Sequence, residues 1–277
     1  MESPLVTVLM ACYNSNEYKF KEAIKSVLAQ SYCNYELVIV DDGSDFPVHK
    51  MVKDFCDSRI KVYKIHHSGL GGALNYGATV ALGKYIARFD DDDIMCPERL
   101  EKQVEYLDKH INCSCVGTMH YDKVENKYLK HRKYPIDHTS IIRSLLSLKW
   151  AMAHTTVMFR KESFEKIGGY RIKGGGQDLD LFLQLGTVGE LANINEYLVY
   201  YTMSTNGLSQ INPKKSEAYL FAINDIIERE QYKEFKEIAK ESAFKLKKII
   251  NNPKEGTSFI RRLIVFKVSL LGKKYGK

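Results

Sequence analysis

Three short apolar runs, each closing on polar or acidic side chains, constrain this chain more than any other feature. Residues 5–11 lead into Cys12-Tyr13-Asn14, residues 36–40 into Asp41-Asp42-Gly43-Ser44, and residues 85–89 into four consecutive aspartates, Asp90 to Asp93. Strands with unbroken apolar sequence are buried on both faces, and a parallel sheet covered by helices provides that burial. The segments between them supply the helices. Phe20, Ala23, Ile24, Val27 and Leu28 recur at the spacing of one helical face. Pro47 stands near the start of another helix, where its missing N–H costs little. A strand over 59–65 and a helix over 71–82 follow, then a helix from Pro97 to about residue 109 with Leu100, Val104 and Leu107 inward. The expected class is α/β: a Rossmann-like, mostly parallel sheet flanked by helices, over residues 4–118.

The rest of the chain is less regular. A strand is expected over 155–160, a short helix over 178–185 and an aromatic-rich strand over 197–203. Residues 214–250 turn helical, with Tyr219, Ile223, Ile226 and Ile227 on one side, until Asn251-Asn252-Pro253 breaks the pattern. The expected organisation is a main unit over 1–213, with halves 1–118 and 119–213, and a basic helical C-terminal extension over 214–277. Charge supports that division: basic and acidic residues number 25 and 26 over 1–213 but 16 and 8 over 214–277. Residues 258–271 segregate Phe259, Ile260, Leu263 and Ile264 from Arg261, Arg262 and Lys267. Two readings stay open for this tail, an interfacial helix on an anionic leaflet and a helix packed on the protein or a partner. No nucleic acid partner is expected.

The six cysteines form no CxxC pair, and most flank strand or helix cores, where Cys acts as a small hydrophobe. Met1-Glu2-Ser3-Pro4 does not read as a leader, and no apolar stretch approaches the roughly 20 residues needed to span a bilayer. The expected location is a reducing cytoplasm, at the inner face of the membrane if the tail touches it.

Ligands of open parallel sheets bind beyond the carboxyl ends of the strands, where all three polar termini fall. Four adjacent carboxylates repel one another unless a cation screens them. An all-oxygen donor set suits a hard divalent ion, Mg²⁺ or Mn²⁺, shared with substrate phosphates. The plainer alternative is an acidic turn ahead of the helix at Pro97.

The ordered segments resemble the family 2 glycosyltransferases with the GT-A fold. The resemblance rests on Cys12-Tyr13-Asn14, Ala23-Ile24-x-Ser26-Val27-Leu28-x-Gln30-Ser31-Tyr32 and Val40-Asp41-Asp42-Gly43-Ser44. It continues through Gly69-Leu70-x-x-Ala73-Leu74-Asn75-x-Gly77, Ala81-x-Gly83-x-Tyr85-Ile86-Ala87-Arg88 and Asp90-x-Asp92-Asp93-x-x-x-Pro97-Glu98-Arg99-Leu100. It implies an inverting transferase that takes a sugar from a nucleotide-diphosphate donor, by family frequency a UDP-sugar, with GDP- and dTDP-sugars open. The acceptor would be a hydroxyl of a glycan or a lipid-linked acceptor. By position, Ala11, Tyr13 and Asn14 would lie at the nucleotide, with Tyr13 stacked near the base and Asp41 accepting the base's ring N–H. Asp90 would lie near ribose and metal, Asp91 near the donor, and Asp92 would be the principal metal ligand, with Asn75 and Arg88 helping to hold the donor.

The resemblance also implies a general base at Asp178, in Gly174-Gly175-Gly176-Gln177-Asp178. The family commonly has Glu where this chain has Gln177, so Gln177 and His154 enter as acceptor-side candidates. The plainer reading of Asp178 is a cap on the helix that follows. After Tyr200 this chain reads Tyr201-Thr202-Met203, without the Arg and His that family members often carry there. Two rival classes remain at this point: a nucleotide-sugar-binding module without chemistry, and a glycoside hydrolase, which also uses two carboxylates.

Overall fold

The computed structural model describes residues 5–124, 127–202 and 213–252. The apolar runs are strands. β1 (Val6–Cys12) and β2 (Tyr35–Asp41) pair in parallel with Cys12 beside Asp41. β3 (Ile60–Lys64) extends the sheet from β2, and β4 (Tyr85–Phe89) pairs with β1, both in parallel. These registers bring Cys12, Asp41 and the residues after Phe89 out at one edge of the sheet.

β5 (Ile94–Met95), β6 (Cys113–Val124), β7 (Lys127–Lys130), β8 (Met158–Arg160) and β9 (Glu190–Thr202) complete one sheet in the order β3-β2-β1-β4-β8-β6-β9-β5, with β7 beside β6. β8 runs antiparallel to β4 and β6, whereas β9 runs parallel to β6. The helices are α1 (Glu17–Leu28), α2 (Val48–Val52), α3 (Leu70–Val80), α4 (Arg99–Lys109), α5 (His138–Leu146), α6 (Lys161–Lys166), α7 (Gln177–Val188), α8 (Pro213–Ile226) and α9 (Lys236–Asn251).

Alternation along the strands divides the core between two layers. Val8, Met10, Leu37, Ile39, Tyr85 and Ala87 pack with Phe20 and Ile24 of α1 and Leu100 and Leu107 of α4. Leu9, Val38, Val40 and Ile86 belong to the opposite layer, with residues of α3, α5, α7, α8 and α9. Each fully buried Leu, Ile or Phe contributes about 2 kcal/mol. All six cysteines are free thiols, and Cys12, Cys96, Cys113 and Cys115 are buried. No helix among the described residues is long and apolar enough to cross a membrane.

Several expectations are corrected. The strand expected over 155–160 is only three residues, because His154–Thr156 form a 3-10 turn in which Thr156 Oγ1 donates to the Ala153 carbonyl. β6, which the sequence reading left unassigned, runs across the 118/119 boundary. β9 starts at Glu190, well ahead of the aromatic segment, and its pairing with β6 shifts register at several points. The helical stretch after residue 213 breaks into α8, a 3-10 segment over Glu230–Phe235, and α9. Ala222, Ile223, Ile226, Tyr232 and Phe235 of this stretch join the same core as Leu9 and Ile86. The tail over 258–277 and Met203 lie outside the described residues.

Candidate active site

A cavity of about 720 Å³ opens beyond the carboxyl ends of β1 and β4. Its walls come from the β1–α1 loop (Tyr13, Asn14, Ser15, Asn16), from Lys19, from Arg88 and Asp90–Asp92, from residues 148–155, from Gly176–Leu179, and from Lys215 and Tyr219 of α8.

The aspartate run does not act as one cluster. Asp93 is fully buried, and one oxygen accepts the Thr202 N–H at 2.7 Å, which fixes the end of β9. Its other oxygen has no partner among the described residues, and burial pushes its carboxyl well above the usual range. Asp90, Asp91 and Asp92 face the cavity. The buried Arg88 guanidinium grips Asp90 with both terminal nitrogens. Ser15 donates to Asp91, and Lys19 stands 3.6 Å from Asp92. Burial, reinforced by Asp90 and Asp92 against the Ser15 hydrogen bond, pushes the Asp91 carboxyl up to about 6. Asp92 is raised as well, by burial and the Asp90 charge. Local cations therefore leave part of the negative charge uncompensated, and an all-oxygen donor set of this kind fits a hard divalent ion.

Arg99 supports the site from beneath. Fully buried, it donates to the carbonyls of Arg88 and Val157, and burial with the neighbouring Arg88 charge pulls it down to about 9. Asp42 organises the next strand end: its carboxylate accepts the N–H groups of Ser68 and Gly69, which anchors the start of α3.

Asp178 is the second residue of α7 and faces the cavity, with Oδ1 accepting the Leu179 N–H at 2.9 Å. The cap position before the helix belongs to Gly176, whose φ of 101° favours glycine. Gln177 is buried, lines the cavity, and its Oε1 has no partner among the described residues. His154 also lines the cavity, 2.7 Å from the Tyr170 hydroxyl. Burial, with Arg88 and Lys215 nearby, holds it well below the ordinary histidine value, so the ring is neutral.

The cavity thus brings together Tyr13, Asn14, Arg88, Asp90, Asp91, Asp92, His154, Gln177 and Asp178. Three sequence candidates are not among its lining. Ala11 is half-buried within β1, and Asp41 is buried at the end of β2, accepting the Ser44 N–H at 2.8 Å. Asn75 serves the scaffold: its amide donates to the Tyr170 carbonyl and accepts the Tyr170 N–H, both at 2.8 Å. That clamp holds the loop leading to α7. Tyr13 is 51% exposed and leans on His67, with ring centroids 4.4 Å apart.

Sequence reasoning missed Ser15, Lys19, Trp150, Lys215 and Tyr219 in the cavity wall. None sits in a motif, and Lys215 and Tyr219 arrive from α8, more than a hundred residues after the aspartates.

The family model described as "Glycosyl transferase family 2" matches residues 7–168. The chain belongs to this family. Among similar sequences, the O-antigen biosynthesis glycosyltransferase WbnJ of Escherichia coli is 34% identical over 194 residues, covering 69% of this chain and 74% of that protein. The putative glycosyltransferase EpsE of Bacillus subtilis (strain 168) is 33% identical over 193 residues, covering 65% and 66%. Among solved structures, S. aureus TarS 1–349 in complex with UDP-GlcNAc superposes with a TM-score of 0.68 at 16% identity, covering 81% of this chain and 67% of that one. The mannosyltransferase PcManGT from Pyrobaculum calidifontis, in complex with GDP-Man and Mn²⁺, gives 0.67 at 17% identity, covering 88% and 70%. This family 2 protein is therefore a glycosyltransferase with the GT-A fold, and the glycoside hydrolase alternative falls away.

Proposed function

We propose that this family 2 transferase moves a sugar from a nucleotide-diphosphate donor, a UDP-sugar in first place, to a hydroxyl of a glycan or lipid-linked acceptor, inverting the anomeric carbon. One observation carries the reading: Asp90–Asp92 and Asp178 line the same cavity, beyond the carboxyl ends of the parallel strands. Tyr13 offers an exposed ring to a base, and Asn14 stands beside it. Asp92, with Asp90, would hold Mn²⁺ or Mg²⁺, which when bound supplies positive charge to a departing diphosphate. Arg88 aims Asp90 through both terminal nitrogens. Asp178 takes the proton of the acceptor hydroxyl as that oxygen attacks the anomeric carbon, and the Leu179 N–H orients its carboxylate. His154 and Gln177 present polar atoms on the acceptor side.

Asp178→Asn tests the assignment. Transfer should fall by about 10²–10⁴-fold, the range of general-base catalysis, with Mn²⁺-dependent UDP binding retained in calorimetry. Normal transfer by the variant removes Asp178 as base. Wild-type protein that binds UDP-sugars but transfers none to any acceptor glycan would favour the binding-module reading instead.

A further inference from the structure

A second constellation lies on β6 and β7, three strands along the sheet from β1, and His120 also lines the cavity wall. His120 and Asp122 are two residues apart on β6 and so share one face of the strand. The antiparallel β6–β7 pairing, with Tyr121 opposite Lys130, delivers His131 to the same place. The two imidazoles stack with centroids 4.4 Å apart. Asp122 accepts from both, from Nε2 of His120 at 3.2 Å and from Nδ1 of His131 at 2.7 Å. One ligating atom from each of the three residues lies within 4.8 Å of the others.

One feature goes beyond what a hydrogen-bonded carboxylate requires: the Tyr134 hydroxyl lies 3.4 Å from Nδ1 of His120, on the side of the ring away from Asp122. An outer partner there fixes ring orientation in metal-bound histidines.

We infer that His120, Asp122 and His131 form a site for an imidazole-preferring divalent cation, Zn²⁺ in first place, distinct from the Asp90–Asp92 cluster. The two donor sets select different ions. Two imidazoles and one carboxylate match zinc, whereas three carboxylates match magnesium or manganese. Binding leaves both rings neutral: the proton on each ligating nitrogen is taken up by the other ring nitrogen, and on His120 that N–H then donates to Tyr134. The cation ties the end of β7 to β6. Tyr201 packs edge-on to His120 at 5.3 Å, and its neighbour Thr202 bonds Asp93, so the end of β9 joins the two sites.

The test uses the full chain, stripped with a chelator and dialysed against micromolar Zn²⁺ in millimolar Mg²⁺, which occupies the oxygen site. Bound zinc is read by atomic emission, and stability by thermal melting. Wild type should retain one zinc per chain and melt higher with it. His131→Gln keeps an N–H donor for Asp122 but is a poor ligand, so its zinc affinity should drop by about tenfold or more. No retained zinc in wild type, or equal retention in His131→Gln and Asp122→Asn, overturns the site. If both variants fail to fold, Co²⁺ titration of wild type decides. A visible band typical of nitrogen-ligated cobalt supports the site, and an all-oxygen spectrum or none refutes it.

Discussion

Asp91→Asn should stabilise the metal-free protein, although it removes a side chain from the cavity wall. The carboxyl of Asp91 moves from its ordinary 3.8 to about 6 in the fold. Holding the ionised form there costs about 3 kcal/mol, at roughly 1.4 kcal/mol per tenfold change in proton affinity. The side chain keeps some contact with water, so we take about 1–3 kcal/mol as the usable range. Because the folded value lies above the unfolded one, the folded state binds the proton more tightly. Wild type is therefore relieved of this penalty below pH 4 and bears it increasingly as the pH rises through 6. Asparagine carries no charge, and its amide oxygen still accepts from Ser15. The expected difference in melting temperature is near zero at pH 4 and reaches about 2–5 °C in favour of Asn above pH 7. Mn²⁺ should shrink it, since a cation stabilises the carboxylate but not the amide. Scanning fluorimetry from pH 4 to 8, with and without Mn²⁺, reads both effects. An asparagine variant that melts lower at pH 7.5, or an offset that ignores pH, would refute the electrostatic account of the cluster.

Two further substitutions probe the scaffold behind the site. A Cβ on Gly71 would stand 2.2 Å from the Ile172 carbonyl oxygen, so Gly71→Ala should cost about 1–3 kcal/mol, as overpacking does, measured by urea denaturation. Asn75→Ala removes both hydrogen bonds to Tyr170 and should cost about 1–3 kcal/mol. Because that clamp positions the loop before α7, kcat should fall while UDP affinity, read by calorimetry, stays unchanged.

The nucleotide half was legible because its code is local. Mainly apolar runs at Val6–Cys12, Tyr35–Asp41 and Tyr85–Phe89 suit the strands of a parallel sheet, and ligands of such a sheet bind at the polar termini. The split within the aspartate run was not legible. Which carboxylate turns inward depends on Thr202, contributed by β9 more than a hundred residues later. Asn75 sits inside a motif, and its amide bonds the Tyr170 backbone, a contact that no local pattern announces. β6 escaped notice because Ser114, Thr118, His120 and Asp122 break up its apolar run; His120 bonds Asp122 along the strand, and His131 bonds Asp122 from across the hairpin.

The helices after residue 213 change how the cavity itself is understood. A Cβ on Gly176, the residue that caps α7, would stand 2.9 Å from Ala218 Cβ and 3.3 Å from the Tyr219 ring. α8 is thus pressed against the turn that presents Gln177 and Asp178, while Lys215 and Tyr219 continue into the cavity wall. The aspartate cluster sits at the end of a rigid parallel strand, but Asp178 sits on a helix whose first turn is braced by α8. Geometry between the aspartate cluster and Asp178 therefore depends on how well α8 packs. Its buried face, Ala222, Ile223 and Ile226, shares the core of β1, β2 and β4, so the segment that composition marked as a basic extension helps hold Asp178 in place.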